Sequence, residues 1–542
     1  MVTPQNLTIL LIASLFMAIH WARIAIHGRP IVLTPAFGWL CAGTAILALP
    51  LLWTPWPQLP AAASRVAALA AGLAILLACL QLRRRYQTAG LYLILCGTIV
   101  QALLACQQLL MPGDAWVALY GARAYGSFFQ PNVLASFLAT GLALAWTLFI
   151  LPHFSLPHAS VERGRQVALL LLLSVFSALL VWVRSRVGWL AGLAVTGLFI
   201  GLLGRFFPHG CRQAAFAVGL GISVGIGVLA FGNGAVVGIS HAQSNIALWS
   251  MLHDTLAMMS AKPWLGWGYG GFEYDFQYFR INQTPPTPVT EIASHPHNEL
   301  LLWIVEGGVV AASGLALLLT GVAYIVRRAR YRDRKAFAIV APSAGVPTAL
   351  YITLVPIALH TQFEFPFYLS APHVLTFLFL LAQADRIGGS RCPMPSPRRH
   401  KTLASCMVIF ATGGGLTAGF ALQGDLALSQ VERFGMEDVT PLQGLPAPTR
   451  WLFGEHMTFD RQVNALLTYN HTRDEHLLTR YRQWAEGYLQ RRVDKNVYAN
   501  LIFILRHQKR PGDAERYRRD AARFFPLDAR FVPPSPVRLE GT

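Results

Sequence analysis

The stretch SHPHNELLLWIVEGGVVAASG, residues 294–314, is where polar sequence passes directly into a long apolar run. His295 and His297 stand at that boundary. Asn298 is a favourable N-cap residue, and Glu299 falls in the first turn, where the helix dipole favours a negative charge. A capped helix with two histidines at a membrane surface explains this pattern as well as a catalytic site does, so the rest of the chain must decide between them.

The composition is that of a membrane protein. The chain has 542 residues, of which 54% are hydrophobic and 13% charged, and a soluble protein carries about twice that share of charge. Apolar runs close to the ~20 residues that cross a bilayer recur from the N-terminus to about Leu422. The fold class predicted is therefore an all-α polytopic membrane protein with about twelve transmembrane helices.

Basic clusters indicate how the chain is oriented in the membrane. The formal net charge is +18, and an excess of Lys and Arg marks cytoplasmic loops. The clusters at residues 83–85, 327–335 and 386–401 agree with one alternating arrangement, which places the long polar loop and the C-terminal tail outside. No interleaving of aromatic and basic residues indicates a nucleic-acid site, so we expect no nucleic-acid partner.

Three regions are predicted. Residues 1–422 form a transmembrane domain, residues 233–297 a long loop within it on the outer side, and residues 423–542 a C-terminal helical domain on the same side. Tyr498 to Pro526 reads as a helical hairpin similar to one tetratricopeptide unit. A single such unit cannot bury its own apolar face, so it must pack on residues 473–491 or on the membrane domain.

Ionisable residues at the ends of spans are candidates for a site because they are costly there. Arg184 and Arg186 lie in a tight turn between two apolar runs, where arginines also serve as interfacial anchors. His360 and Glu364 are one helical turn apart, and a buried hydrogen-bonded pair that joins helices is the favoured interpretation.

The segment RAYGSFFQPN, residues 123–132, opens a further span. Pro131 suits the first helical position, and the amides of Gln130 and Asn132 both donate and accept hydrogen bonds. A turn followed by a helix start explains much of this segment without any function.

Several separated stretches resemble one family. His297-Asn298, nine residues, then Gly308 resembles the periplasmic signature of bacterial O-antigen ligases, and SRVGWLA, with Arg186, resembles their Ser-Arg segment. RAYGSFFQPNVLA, LHTQFEFPF and the hairpin tail resemble the PglL-type protein O-oligosaccharyltransferases. The chain is thus similar to the PglL-type branch of the O-antigen ligase and polymerase superfamily.

This resemblance implies an inverting, metal-independent glycosyltransferase in the bacterial inner membrane, with its active site facing the periplasm. Its donor would be an undecaprenyl-diphosphate-linked oligosaccharide. His297 would act as general base on the acceptor hydroxyl. The implied substrate-binding residues are Arg186, Arg280, Arg123, Gln130 and Asn132, and the implied supporting residues are His295, Asn298, His360 and Glu364. No cofactor is expected, and Pro296 between the two histidines makes a metal site with Glu299 a poor interpretation.

Three functions compete. The first is transfer of the glycan to Ser or Thr of a periplasmic protein such as pilin. The second is the same chemistry with lipid A core or a growing O-antigen chain as acceptor. The third is transport of a lipid-linked glycan without chemistry, which predicts inverted repeats and paired broken helices that the sequence does not display.

Overall fold

The computed structural model describes residues 3–231, 242–287, 292–388, 392–393 and 396–532. Parts of three predicted regions lie outside these ranges: residues 233–241 and 288–291 of the long loop, residues 389–391 and 394–395 of the third basic cluster, and residues 533–542 of the tail.

Within the described ranges nearly all regular structure is helical. The helices are α1 (Pro4–His27), α2 (Pro35–Ala48), α3 (Leu59–Leu80), α4 (Arg84–Leu110), α5 (Pro131–Ile150), α6 (Ala159–Val183), α7 (Arg186–Leu203), α8 (Pro208–Phe231), α9 (Ala242–Ala261), α10 (Phe272–Ile281), α11 (Glu299–Ala338), α12 (Val346–Ile352), α13 (Val355–His360), α14 (Pro366–Leu369), α15 (Ala371–Gly388), α16 (Pro397–Arg433), α17 (Ala447–Thr472), α18 (Glu475–Tyr488), α19 (Lys495–His507) and α20 (Pro511–Phe524). Two short strands, β1 (Val32–Leu33) and β2 (Cys392–Pro393), pair antiparallel.

Ten helices of the described ranges are long and apolar enough to cross a membrane. The protein is thus an all-α polytopic membrane protein, as predicted. Two more predicted spans correspond to the α12–α13 pair and to α15. The pair is interrupted near Pro356, whose missing N–H and fixed φ favour the start of a new helix over continuation of the old one.

Helix α5 is the centre of the bundle. Every residue from Val133 to Ile150 is buried, and α4, α6, α7, α8, α12 and α13 pack around it. A helix that is apolar on all sides suits such a position, because it has no polar face that needs water. The first residues of α5, Pro131 and Asn132, are thereby held at one end of the bundle. We call this end of the bundle the site end.

Helix α11 contains a sharp backbone irregularity at Gly308. This residue has φ 62° and ψ −152°, a conformation essentially restricted to glycine. The loop after α9 fills the break, since Trp267 N–H donates to Val305 O at 3.1 Å and Val309 N–H donates to Pro263 O at 2.9 Å. The family-like spacing from His297 to Gly308 therefore has a structural basis, because the irregularity lets the outer loop enter the helix ladder.

The C-terminal hairpin, α19 and α20, packs on α18 and on α10 of the long loop. Ile281 of α10 belongs to the same apolar cluster as Leu501 and Phe524, and Arg492 Nη1 lies 2.9 Å from Glu273 Oε2. The apolar face of the hairpin is thus buried against α18 and α10. Helix α16 continues without a break across the proposed boundary at residues 422/423, so that division remains a prediction.

Candidate active site at one end of the helix bundle

Glu364 is the residue on which separate parts of the chain converge. It is 8% exposed, and its carboxylate accepts hydrogen bonds from Gln130 Nε2 at 2.7 Å and Asn132 Nδ2 at 2.6 Å. His360 Nε2 lies 3.1 Å from the same carboxylate, so the contact predicted from the four-residue spacing is present. Glu364 therefore holds the start of α5 against the end of α13.

The polar network continues into the bundle beneath Glu364. Ser136 Oγ lies 2.8 Å from His360 Nδ1 and 3.0 Å from His373 Nε2, and Ser370 Oγ lies 2.8 Å from His373 Nδ1. All four of these side chains are fully or almost fully buried. Buried polar groups linked in this way hold one arrangement of the surrounding helices, so Glu364 rests on a fixed support.

Arginine side chains surround the other side of Asn132. Its Oδ1 accepts hydrogen bonds from Arg123 Nη2 at 3.2 Å and from Ser185 Oγ at 2.7 Å. Ser185 is also the N-cap of α7, and Arg186 is the first residue of that helix and is exposed. Asn132 therefore ties the Arg186 turn to the segment that carries Arg123.

The charges at this end act on one another. Burial lowers the pKa of Arg123, Glu364 opposes that shift, and the positive charges of Arg184 and Arg186 lower it further. Three arginines close enough to repel each other, with one carboxylate among them, leave a net positive field. Such a field favours a multiply charged anion, and guanidinium groups bind phosphate oxygens in pairs.

The histidine segment lies along the residues that follow α13. Asn298 caps α11, as predicted, by accepting from Leu301 N–H at 3.0 Å, and its Nδ2 donates to Gln362 O at 3.1 Å. The rings of His295 and Phe365 have centroids 3.3 Å apart. The start of α11 is therefore fixed beside Glu364, although 64 residues lie between Glu299 and Glu364 in the chain.

His297 has the geometry of a strained functional residue. Its φ is 51°, in the left-handed region that a non-glycine residue enters at a cost of about 1–3 kcal/mol. His297 N–H donates to His295 Nδ1 at 3.1 Å, and the two rings lie 4.6 Å apart. The His297 ring is half-buried, and its nitrogens form no hydrogen bond with the described residues.

His295 orients this turn as a neutral ring. Burial lowers its pKa to about 3, with a further contribution from His297 and an opposing one from Glu364. A neutral imidazole accepts a hydrogen bond at only one nitrogen, so the bond from His297 N–H places the His295 proton on Nε2. The supporting position proposed for His295 thus has a definite contact, with the backbone of His297.

Arg280, predicted as a second ligand of the diphosphate, lies apart from this cluster. It is 2% exposed, its Nε lies 2.9 Å from Asp254 Oδ2, and its Nη2 donates to Ser250 Oγ at 2.8 Å. A buried arginine paired in this way holds α10 on α9, and the structure does not bring it to Asn132 or Arg186. Its role in binding the substrate remains a prediction, and the contacts observed are those with Asp254 and Ser250.

A cavity adjoins Arg123 at the site end. It has a volume of about 420 Å³ and is lined by Tyr120, Ala122, Arg123, Tyr125, Phe129 and Pro131. A larger cavity of about 940 Å³ lies at the opposite end of α11, among residues such as Arg328 and Lys335. The larger cavity contains none of the candidate residues, so size alone does not locate the site. Of the candidate residues, Arg123 is the one that lines the smaller cavity.

Sequence reasoning missed several members of this network. The sequence places Ser185 in a turn and in the Ser-Arg segment but predicts no contact for it, and it predicts no role for Ser136, Ser370 or His373. His373 offered a signal, because an ionisable residue inside an apolar span is unusual. Ser136 lies one helical turn after Asn132 and hence on the same face of α5, which could have suggested a shared partner.

Known families match three parts of the chain. The family described as O-Antigen ligase matches residues 167–316, which include Arg186 and His297. The family described as protein glycosylation ligase matches residues 124–149, which include Gln130 and Asn132. The family described as virulence factor membrane-bound polymerase, C-terminal, matches residues 348–535, which include Glu364. No curated protein matches the chain significantly.

The helical membrane bundle and these matches identify the protein as a membrane enzyme that transfers glycans in the manner of a ligase. The chain belongs to the superfamily of O-antigen ligases and PglL-type protein glycosylation ligases.

Proposed function

We propose that this enzyme transfers a complete glycan from an undecaprenyl-diphosphate-linked donor to Ser or Thr hydroxyls of periplasmic proteins such as pilin. The observation that carries the proposal is the convergence of the Arg123, Asn132, Arg186 and Glu364 segments beside the His297 turn. This chemistry requires a positive field that binds the diphosphate and a base that accepts a proton, and the proposal gives these roles to the arginines and to His297.

His297 is the proposed base. The acceptor hydroxyl attacks the anomeric carbon from the face opposite the diphosphate, the bond from that carbon to the diphosphate oxygen breaks, and the hydroxyl proton passes to the His297 ring. The anomeric configuration is thereby inverted. General-base assistance of this kind contributes about 10²–10⁴-fold. The half-buried ring, held by a strained backbone and with no partner among the described residues, suits that role.

Arg186 and Arg123 are the proposed diphosphate ligands. The leaving group carries its charge throughout the reaction and gains more as the glycosidic bond breaks, so guanidinium groups stabilise the transition state more than the ground state. Arg186 is exposed at the first position of α7, where the helix N-terminus adds a further favourable partial charge. The chemistry of this step is metal-independent in the proposal.

The protein acceptor is supported by two features. The protein glycosylation ligase match covers the start of α5, the helix that supplies Gln130 and Asn132 to the site. The helical tail packs on α10 of the outer loop, so an acceptor that binds the tail would lie on the same side as the His297 turn. Lipid A core and a growing O-antigen chain are the alternative acceptors, favoured by the O-Antigen ligase match.

The test is co-expression with a lipid-linked glycan pathway and a candidate pilin in a host that lacks its own ligase. Mass spectrometry of the pilin and of extracted lipopolysaccharide is compared for wild type and for His297→Ala. The proposal expects pilin peptides whose Ser or Thr carries one complete glycan, with His297→Ala as the negative control. Glycan found only on lipid A core supports the ligase alternative, and a translocated but untransferred donor supports transport.

A further inference from the structure

The joint between α16 and α17 brings together metal-ligating side chains that the transfer site does not use. Glu432 lies in the last turn of α16, and His456 and Asp460 are one helical turn apart on α17. One donor atom from each of the three side chains lies within 4.8 Å of the other two. His456 Nε2 is 2.5 Å from Glu432 Oε1, so two of the donors already point at the same region.

Asp460 supplies an independent observation. Its side chain is 1% exposed, and neither of its carboxylate oxygens has a hydrogen-bond partner among the described residues. Buried carboxylates are normally paired, because leaving water without a partner is strongly unfavourable. Asp425, two turns before Glu432 on α16, also has a buried oxygen, Oδ2, without a partner. No Lys or Arg of the described ranges forms an ion pair with Asp425, Glu432 or Asp460.

The donor set selects a class of ion. Imidazole nitrogen and carboxylate oxygen are both ligands of Zn²⁺, and three protein ligands leave the fourth tetrahedral position for water. Donors around a tetrahedral Zn²⁺ lie roughly 3.3 Å apart, given bonds of about 2.0–2.1 Å. The three donor atoms lie within 4.8 Å of one another, and they reach this spacing if Glu432 or His456 changes rotamer. Both side chains have room to do so, since they are 41% and 50% exposed. Ca²⁺ fits less well, because it requires six to eight oxygen ligands.

We propose that Glu432, His456 and Asp460 bind a divalent transition-metal ion, with Zn²⁺ as the best match, and that the ion fastens the C-terminal tail to the last membrane helix. The bound cation gives the buried Asp460 carboxylate the partner that it lacks. It also links α16 to α17 next to the apolar cluster of Leu428, Leu442 and Met457. The site is separate from the transfer site, since none of its residues contacts the His297 turn or Glu364.

The test uses full-length protein purified in detergent and stripped of metal. Zn²⁺ binding is measured by equilibrium dialysis with elemental analysis, and the Tm is measured with and without one equivalent of Zn²⁺. Asp460→Asn keeps the shape of the side chain, and His456→Gln removes a half-exposed ligand with little effect on packing. The matched control is Glu475→Gln, because Glu475 and His507 form a similar exposed pair at 2.7 Å outside the proposed ligand set.

The expected result is one tightly bound Zn²⁺ per chain and a Tm that rises on binding. Both Asp460→Asn and His456→Gln should weaken binding at least tenfold and abolish the rise in Tm, and Glu475→Gln should change neither. If Asp460→Asn does not fold, His456→Gln decides the matter alone. Absence of stoichiometric binding in the wild type, or equal binding by the His456→Gln and Glu475→Gln proteins, would overturn the proposal.

Discussion

Replacement of Glu364 by Gln tests how the transfer site is held together. The carboxylate accepts from Gln130, Asn132 and His360 at 2.7, 2.6 and 3.1 Å. In glutamine an NH2 group, which donates, replaces one of the two accepting oxygens. At least one of the three contacts then places two donors against each other and is lost. The remaining contacts lose their charge assistance. Hydrogen bonds to charged groups contribute about 1.5–3 kcal/mol each, and neutral ones about 0.5–1.5 kcal/mol.

The loss on Glu364→Gln is therefore roughly 3–5 kcal/mol, from one bond removed and two weakened. Its first structural consequence is at Asn132, which holds Arg123 and Ser185 in turn. If this free energy is lost through misplacement of the arginines, turnover falls by about 10²- to 5 × 10³-fold, since each 1.36 kcal/mol is a factor of ten. The assay is transfer by purified protein under saturating donor, accompanied by the Tm.

Glu162→Gln is the matched control. Glu162 also accepts several hydrogen bonds, including two from Arg165 at 2.7 and 2.6 Å. It lies near the first residue of α6, whose 25 residues separate it by roughly 35 Å from the site end. Its variant should lower the Tm but leave transfer unchanged. A folded Glu364→Gln protein that transfers glycan within about threefold of wild type would refute the reasoning, since 3–5 kcal/mol would then have no effect on the site.

Three further predictions concern neighbouring positions. Arg186→Lys keeps the charge but loses the planar fork, so donor affinity and turnover should both fall severely; unchanged kinetics in Arg186→Ala would show that Arg186 only anchors the turn. Gly308→Ala should destabilise the outer loop, because φ is 62° and the added Cβ would lie 2.3 Å from Trp264 O; a Tm and a protease-cleavage pattern equal to those of wild type would contradict this. His295 should make the His297 turn sensitive to acid. The pKa of His295 is about 3 in the folded protein and the ordinary value is 6.5, so His295 takes up a proton more readily when the turn is open. The stability of the ordered turn therefore falls by at most about 1.4 kcal/mol per pH unit as the pH falls from 6.5 towards 3. Above pH 6.5 this effect is absent. If the loss of stability at acid pH is unchanged in the His295→Gln protein, His295 is excluded as its source.

Local features of the site were predictable from the sequence. The Asn298 cap and the helix start at Pro131 depend on side chains within three residues of the backbone groups concerned, and both are present. The His360–Glu364 contact follows from one helical turn. The ~20-residue apolar runs located the spans, because the bilayer imposes that length.

Long-range features were not predictable in the same way. Glu364 meets Asn132 across 232 residues, and hydrophobic periodicity does not specify which helix ends become neighbours. Arg280 was selected as an arginine in an outer loop, but its partner Asp254 comes from a helix whose position relative to α10 the sequence leaves open. Loss of apolar character after Leu422 suggested a boundary there, yet a helix does not end where hydrophobicity ends, and α16 continues to Arg433.

The proposed mechanism depends on His297, which takes the proton of the acceptor hydroxyl during glycan transfer. The most direct measurement is a single-turnover assay of purified protein with a polyprenyl-diphosphate-linked oligosaccharide and a Ser-containing acceptor protein, following glycosylated acceptor and released lipid diphosphate together. His253→Ala serves as control, because that histidine lies on α9 with its side chain 79% exposed. We expect a wild-type rate for His253→Ala and a loss of about 10²–10⁴-fold for His297→Ala, with the Tm and donor binding preserved. Transfer by His297→Ala at the wild-type rate would contradict it.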